Sequence, residues 1–280
     1  MSKPPVHSAE IIHSTGLTRE ADRNTLVVPD NECLGSSPGR LRRAQQAMGA
    51  GSQDVWTATK FSPPAELRPS DVFGLRRFKY CTGTSERFLV HPCHVPALGS
   101  ARTIAVYTDG ACSDNGAGVG GNTSTREPRA GCAFVFREGD EGTISWALEK
   151  QGPDGVTYKH TSNRAELRAA LAALKFRYWP GKGWDRLVLI TDSLYVSHHA
   201  AEWLRKWAER GWRTTSGESV KNQDLWKELS IRMGELAEGG CEVSFWAVPR
   251  SLNTIADKAA KEATTLEPDD MFVDIEGVLC

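Results

Sequence analysis

Residues 103–116 read TIAVYTDGACSDNG. The stretch opens as a run of β-formers, Ile104, Val106 and Tyr107, and breaks at Asp109-Gly110. An apolar run ending in an acid and a glycine places a carboxylate at the end of a sheet strand. Asp-Gly alone is equally a turn signal. A second copy of the logic gives the reading weight. Residues 186–190 (RLVLI) form another β-run, followed by Thr191-Asp192-Ser193. Two strands ending in Thr-Asp bring two carboxylates together if they are neighbours.

Working outward, the stretch 111–129 is a loop rich in Gly and small polar residues. Residues 131–137 (GCAFVFR) and 143–149 (TISWALE) read as strands of an antiparallel meander. From Ser162, the residues Leu167, Ala170, Leu171, Leu174 and Tyr178 recur at helical steps and predict a buried stripe, ended by Trp179-Pro180-Gly181. Residues 193–210 predict a short helix leading into a second, and 211–222 a polar loop. An amphipathic helix follows at 223–238 through Leu225, Leu229, Met233 and Leu236. Residues 242–248 (EVSFWAV) are a last strand, and 253–264 a helix with Ile255, Ala259 and Ala263 on one face. This order predicts an α/β fold with a mixed five-stranded sheet flanked by helices. Three regions result: a largely irregular, flexible N-terminal extension at 1–99, a folded domain at 100–267, and a solvated acidic tail at 268–280 carrying Asp269, Asp270, Asp274 and Glu276. Within the extension only 72–90 looks locally ordered.

Composition narrows the class. The chain has 280 residues, 40% hydrophobic and 25% charged, as soluble globular proteins do. There is no run of about 18 apolar residues for a membrane span and no signal-peptide core at the N-terminus. Seven cysteines without regular spacing predict a reducing, intracellular setting, nucleus or cytoplasm, with the mitochondrion compatible. Cys81, His91, Cys93 and His94 match none of the usual paired zinc-ligand spacings. The net charge is −1, and residues 101–267 hold 22 basic and 22 acidic side chains. If four of those acids bind metal, the remaining surface carries a modest positive charge for phosphate contacts.

Four acids stand out by position. Asp109 and Asp192 each end a β-run. Glu166 lies in the first turns of a helix (SNRAEL), and Asp257 lies early in the last helix among Ile255, Ala256, Ala259 and Ala260. Each has an ordinary alternative: a turn former for Asp109, a helix N-cap for Asp192, first-turn acids for Glu166 and Asp257. The simplest mixed-sheet arrangement puts all four at one sheet edge. Crowded carboxylates repel and their pKa values rise. Hard divalent cations remove that cost, and oxygen-only ligands select Mg²⁺ or Mn²⁺. Two ions about 4 Å apart align an attacking water and a leaving oxygen around a phosphate, so the cluster points to phosphodiester hydrolysis.

The motifs YTDGAC with Asn115, TSNRAEL (161–167), ITDSLYV (190–196), the run WLRKWAERGWRTTSGESVKNQDLWKEL (203–229) and NTIADKAAKEA resemble the ribonuclease H family, type 1, over about residues 101–265. The resemblance implies an endonuclease that cuts the RNA strand of RNA–DNA hybrids with two Mg²⁺ ions, Mn²⁺ substituting, leaving 5′-phosphate and 3′-hydroxyl ends. It implies Asp109 bridging both ions, Glu166 and Asp192 on the leaving-group side, and Asp257 on the water side. It places Glu166 beside the ribose 2′-OH, with Cys112, Asn115, Ser162 and Asn163 toward the RNA strand. Thr161 and Asn222, with Lys159, match a DNA-phosphate pocket, and Trp203, Trp207 and Trp212 match ring positions along a basic helix. Their ordinary alternative is helix packing.

The chain departs from the pattern in places. Leu194 stands where a polar residue is common, Ser162 where Asn is common, and Ala208 and Glu209 where lysines are frequent. The loop before Asp257 (VPRSLN, 248–253) lacks the His of bacterial members, as in plant and fungal relatives. Arg250 in that loop reads as a phosphate contact or a solvated arginine. The alternatives are a non-catalytic nucleic-acid-binding module on the same fold, or a nuclease for another substrate. No membrane contact and no particular protein partner is expected.

Overall fold

The apolar run of the first motif forms one continuous strand, Thr103–Ser113, buried almost throughout, as expected of a strand covered on both faces. The computed structural model describes residues 18–19, 25–28, 55–79, 85–90, 102–113, 127–137 and 142–277. Its strands are β1 (Thr18–Arg19), β2 (Thr25–Val28), β3 (Thr59–Lys60), β4 (Gly74–Lys79), β5 (Ser85–Val90), β6 (Thr103–Ser113), β7 (Arg129–Val135), β8 (Thr143–Ala147), β9 (Arg186–Thr191), β10 (Glu242–Ala247) and β11 (Asp274–Gly277). The helices are α1 (Pro69–Val72), α2 (Ser162–Lys175), α3 (Leu194–Glu202), α4 (Leu204–Glu209), α5 (Gln223–Glu238) and α6 (Thr254–Ala263). Among these residues, no helix is long and apolar enough to cross a membrane.

The mixed sheet is the one the sequence predicts, and it is larger. β8, β7 and β6 pair antiparallel, and β6, β9 and β10 parallel. β3 adds to β10, and β5 and β4 extend from β6, giving eight strands. On one face, α2 and α5 cover a core that includes Leu171, Trp179, Trp226 and Phe134. On the other, α6 lies close against β7. A Cβ on Gly131 would stand 2.3 Å from the Ala260 carbonyl oxygen, which explains the glycine and the small residues Ala259, Ala260 and Ala263 facing it.

Four expectations change. Part of the extension is integral to the domain: Phe61, Val72 and Phe73 are buried on β9 and β10 with Val188, Ile190, Trp246 and Val248. The three aromatic rings contact at 5.4–6.2 Å. The tail is not simply solvated. Val273 and Ile275 are buried, β11 pairs parallel with β2, and Lys150 and Lys175 take up Asp270 and Asp274. Tyr178 falls beyond the end of α2 and is exposed. Ile255 is also exposed, because the buried stripe of α6 runs through Ala256, Ala259, Ala260 and Ala263. Cys81, His91, Cys93, His94 and Asn115 lie outside the described residues.

Candidate active site

β6 does not end at Asp109. It runs on to Ser113, paired with β7. Its pairing with β9 stops at Tyr107 opposite Ile190, so Asp109 stands just past the point where β9 leaves the sheet through Thr191-Asp192. Asp109 is 2% exposed. Gly110 then lets α2 approach: a Cβ there would stand 2.1 Å from the Glu166 backbone nitrogen. Thr161 caps α2, its Oγ1 accepting from the Arg164 N–H at 3.2 Å. Gly110→Ala should therefore push α2 outward, costing roughly 1–3 kcal/mol of stability and displacing Glu166. Thermal melts and cleavage rates check this; an unchanged melting temperature would contradict it.

Three of the four acids, Glu166, Asp192 and Asp257, are tied to side-chain donors. Ser193 caps α3, accepting from the Val196 N–H, and its hydroxyl donates to Glu166 Oε2. Asn253 is fully buried, and its Nδ2 donates to the Thr108 carbonyl at 3.0 Å and to Asp192 Oδ1 at 2.8 Å. Arg250 Nε donates to Asp257 Oδ1 at 2.7 Å, and Lys261 Nζ to Asp257 Oδ2 at 2.6 Å. Arg250 also reaches Asp192 Oδ2 at 3.8 Å, so this loop arginine lies on the acids and links two of them.

Burial pushes the Asp109 carboxyl up to about 7, with Asp192 the next contributor and Glu166 and Asp257 adding to it, against the Gly110 N–H. Burial likewise pushes Glu166 to about 7, opposed by the Ser193 hydroxyl and helped by Asp192. Asp257 goes the other way: burial works against it, but the Lys261 and Arg250 hydrogen bonds together hold it below the usual carboxylate range.

The donor set is all oxygen, as a hard divalent cation requires. Asp109 Oδ2 is buried with no hydrogen-bond partner, which fits a ligand position for such an ion. Among the described residues, no three acidic, His or Cys side chains already converge to hold one ion. Binding would therefore have to draw Glu166, Asp192 and Asp257 off the donors they now use.

Ser193 and Asn253 carry no role in the sequence reading. The available signal was a polar residue just before each helix. At 253, however, the side chain makes no capping bond and crosses to β6 and Asp192 instead. Partners that orient metal-binding carboxylates are typically worth 10–100-fold in metal affinity or activity. Asn253→Ala should lower cleavage by about that factor and raise the metal concentration for half-maximal rate, read from a metal titration.

The other candidate residues fall in three places. Thr161 and Asn222 stand at the N-termini of α2 and α5 and meet through Arg164. Arg164 Nη1 donates to Asn222 Oδ1 at 3.4 Å, and Asn222 holds a left-handed backbone at φ 57°. Lys159, Ser162 and Asn163 lie at this helix start, at least partly exposed. Cys112 is half-buried on β6, its Sγ 3.4 Å from the Ser113 carbonyl. The tryptophans divide. Trp203 and Trp212 are half-buried, whereas Trp207 is 7% exposed, packed among His199, Trp203 and Trp226. Trp207 is thus a packing residue without a free stacking face. Leu194, two residues past Asp192, is 71% exposed.

Comparisons with known proteins agree with the motifs. The RNase H family model matches residues 101–265. A Ribonuclease H of Anaplasma marginale is 39% identical over 132 residues, covering 47% of this chain and 71% of the relative. One of Cyanothece sp. is 38% identical over 130 residues, covering 46% and 70%. Among solved structures, LC9-RNase H1, a type 1 RNase H with the type 2 active-site motif, shares 25% identity over 58% of this chain and 72% of its own, with a TM-score of 0.41. By the extent of the family match and the share of its relatives covered, the chain belongs to the RNase H family.

Proposed function

We propose that this protein is an endonuclease that hydrolyses the RNA strand of RNA–DNA hybrids. The observation that carries the reading is the buried Asp109 carboxylate with an unpartnered oxygen, set among Glu166, Asp192 and Asp257. Two Mg²⁺ ions, Mn²⁺ substituting, would supply the positive charge that neutralises the scissile phosphate and makes water a competent nucleophile near neutral pH. Asp109 would be shared between them, Glu166 and Asp192 would serve the leaving-oxygen side, and Asp257 the water side. In-line attack breaks the bond from phosphorus to the 3′ oxygen, leaving 3′-hydroxyl and 5′-phosphate ends. Glu166 would read the 2′-OH, which DNA lacks. Thr161 and Asn222, with Lys159, would seat a phosphate of the DNA strand.

Arg250 and Lys261 hold Asp257 and favour a second reading, a hybrid-binding module without turnover. A panel of labelled hybrid, duplex RNA and duplex DNA with Mg²⁺ or Mn²⁺ separates the readings. Cutting confined to the RNA of the hybrid supports the nuclease. Cutting of duplex RNA or DNA overturns the substrate assignment, and binding without cutting supports the module.

A further inference from the structure

The carboxyl edge of the sheet does not stop at β10. β3 runs parallel beside it, with Thr59 opposite Ser244 and Lys60 opposite Phe245, and the Phe61 N–H donates to the Phe245 carbonyl at 2.9 Å. β10 is in register with β9, placing Ala247 opposite Thr191. Residues 61–63 therefore leave β3 level with Ala247 and Thr191, on the edge where Asp192 sits, two strand spacings or roughly 10 Å along. Between this turn and α3 is an open pocket of about 340 Å³, lined among others by Lys60, Ser62, Pro63, Leu194 and His198. Leu194, which lines this pocket, follows Asp192 by two residues along the chain.

Beside the pocket, basic groups gather on one carboxylate. Lys60 Nζ is ion-paired with Glu202 across from β3, His198 Nδ1 lies 3.5 Å from the same carboxylate, and Lys206 acts on it too. One acid thus faces two cations and an imidazole, and both partners of the Lys60–Glu202 pair are substantially exposed. An exposed pair of this kind contributes little to stability, so exchanging Glu202 for a phosphate costs little. The residues of β3 also lie outside the family match at 101–265.

We propose that this pocket is a further substrate subsite, in which Lys60 exchanges Glu202 for a backbone phosphate of the cut strand flanking the scissile one, while Leu194 and Pro63 pack against the adjoining sugar. The proposal rests on the hybrid-nuclease reading for the identity of the strand.

The test is equilibrium binding of a fluorescent RNA–DNA hybrid in chelator at several salt concentrations, for wild type, Lys60→Ala and Glu202→Gln, with melting temperatures recorded alongside. Lys60→Ala should weaken binding severalfold and reduce the salt slope by about 1, whereas Glu202→Gln should tighten binding by freeing Lys60. Opposed shifts of this kind support the subsite. Unchanged affinity for Lys60→Ala, or parallel loss of affinity and melting temperature in both variants, overturns it and leaves a purely structural ion pair. Wild-type cutting of the same hybrid with Mg²⁺ is scored separately, so failure of the nuclease reading is told apart from failure of the subsite.

Discussion

Asp109→Asn should abolish cleavage and, without added cation, raise the melting temperature at pH 8. The activity loss follows from removing the carboxylate at the centre of the cluster. The stability gain follows from linkage. Burial and then Asp192 push the folded-state pKa of Asp109 from 3.8 to about 7, and burial raises Glu166 from 4.5 to about 7. The folded state therefore keeps protons that the unfolded chain releases between pH 4 and 7. Stability from these groups is fully present below about pH 4 and is lost as pH rises through about 7. A shift of about three pKa units sets an upper bound of roughly 4 kcal/mol per carboxyl, reduced where neighbours relax. Asn carries no charge, so the variant escapes this cost at pH 8 and gains nothing at pH 4. An increase of several degrees at pH 8 is expected, at about 2–4 °C per kcal/mol for a domain of this size. By the same linkage, Mg²⁺ should stabilise wild type at pH 8 and much less at pH 5. A variant no more stable than wild type at pH 8 would contradict the raised pKa.

Arg168→Ala should cost about 3–5 kcal/mol, the range for a broken buried ion pair. Arg168 is almost fully buried. Its Nε and Nη2 donate to Glu149 at 3.1 and 2.7 Å, and Nη2 also donates to the Val273 carbonyl. The guanidinium lies over the Trp146 and Phe272 rings at 5.1 and 4.3 Å. One side chain on α2 thus binds the strand end after β8 to the C-terminal segment. Truncation leaves the buried Glu149 uncompensated and frees the tail. Denaturant melts measure the loss, and adding Glu149→Leu should recover part of it, since the orphaned charge is the larger share. A single-variant cost below about 1 kcal/mol would mean that the pair is not the clamp the geometry indicates.

The parts of this molecule legible in the sequence are those whose signal is local. The runs ending near Asp109 and Asp192 are short apolar stretches, and the stripes of α2 and α5 follow the 3.6-residue period. What escaped is set by tertiary contact. β3 is two residues long and exists because β10 offers it an edge. Phe61 and Phe73 look like isolated aromatics until Trp246 packs against them. In the tail, the alternation of Val273 and Ile275 was masked by the acids around it. Asn253 is in sequence only the first residue of the predicted last helix, and only the fold shows its amide reaching Asp192. Trp207 is indistinguishable in sequence from a surface ring, and its burial depends on Trp226 from another helix.

The most direct test of the central claim is a time course of an end-labelled RNA–DNA hybrid with purified wild-type protein, in Mg²⁺ and in chelator, with product ends determined. The account predicts cutting of the RNA strand in Mg²⁺ alone, leaving 5′-phosphate and 3′-hydroxyl termini. Cutting that persists in chelator, or fragments ending in a 3′-phosphate, would contradict the assignment of chemistry to the four carboxylates.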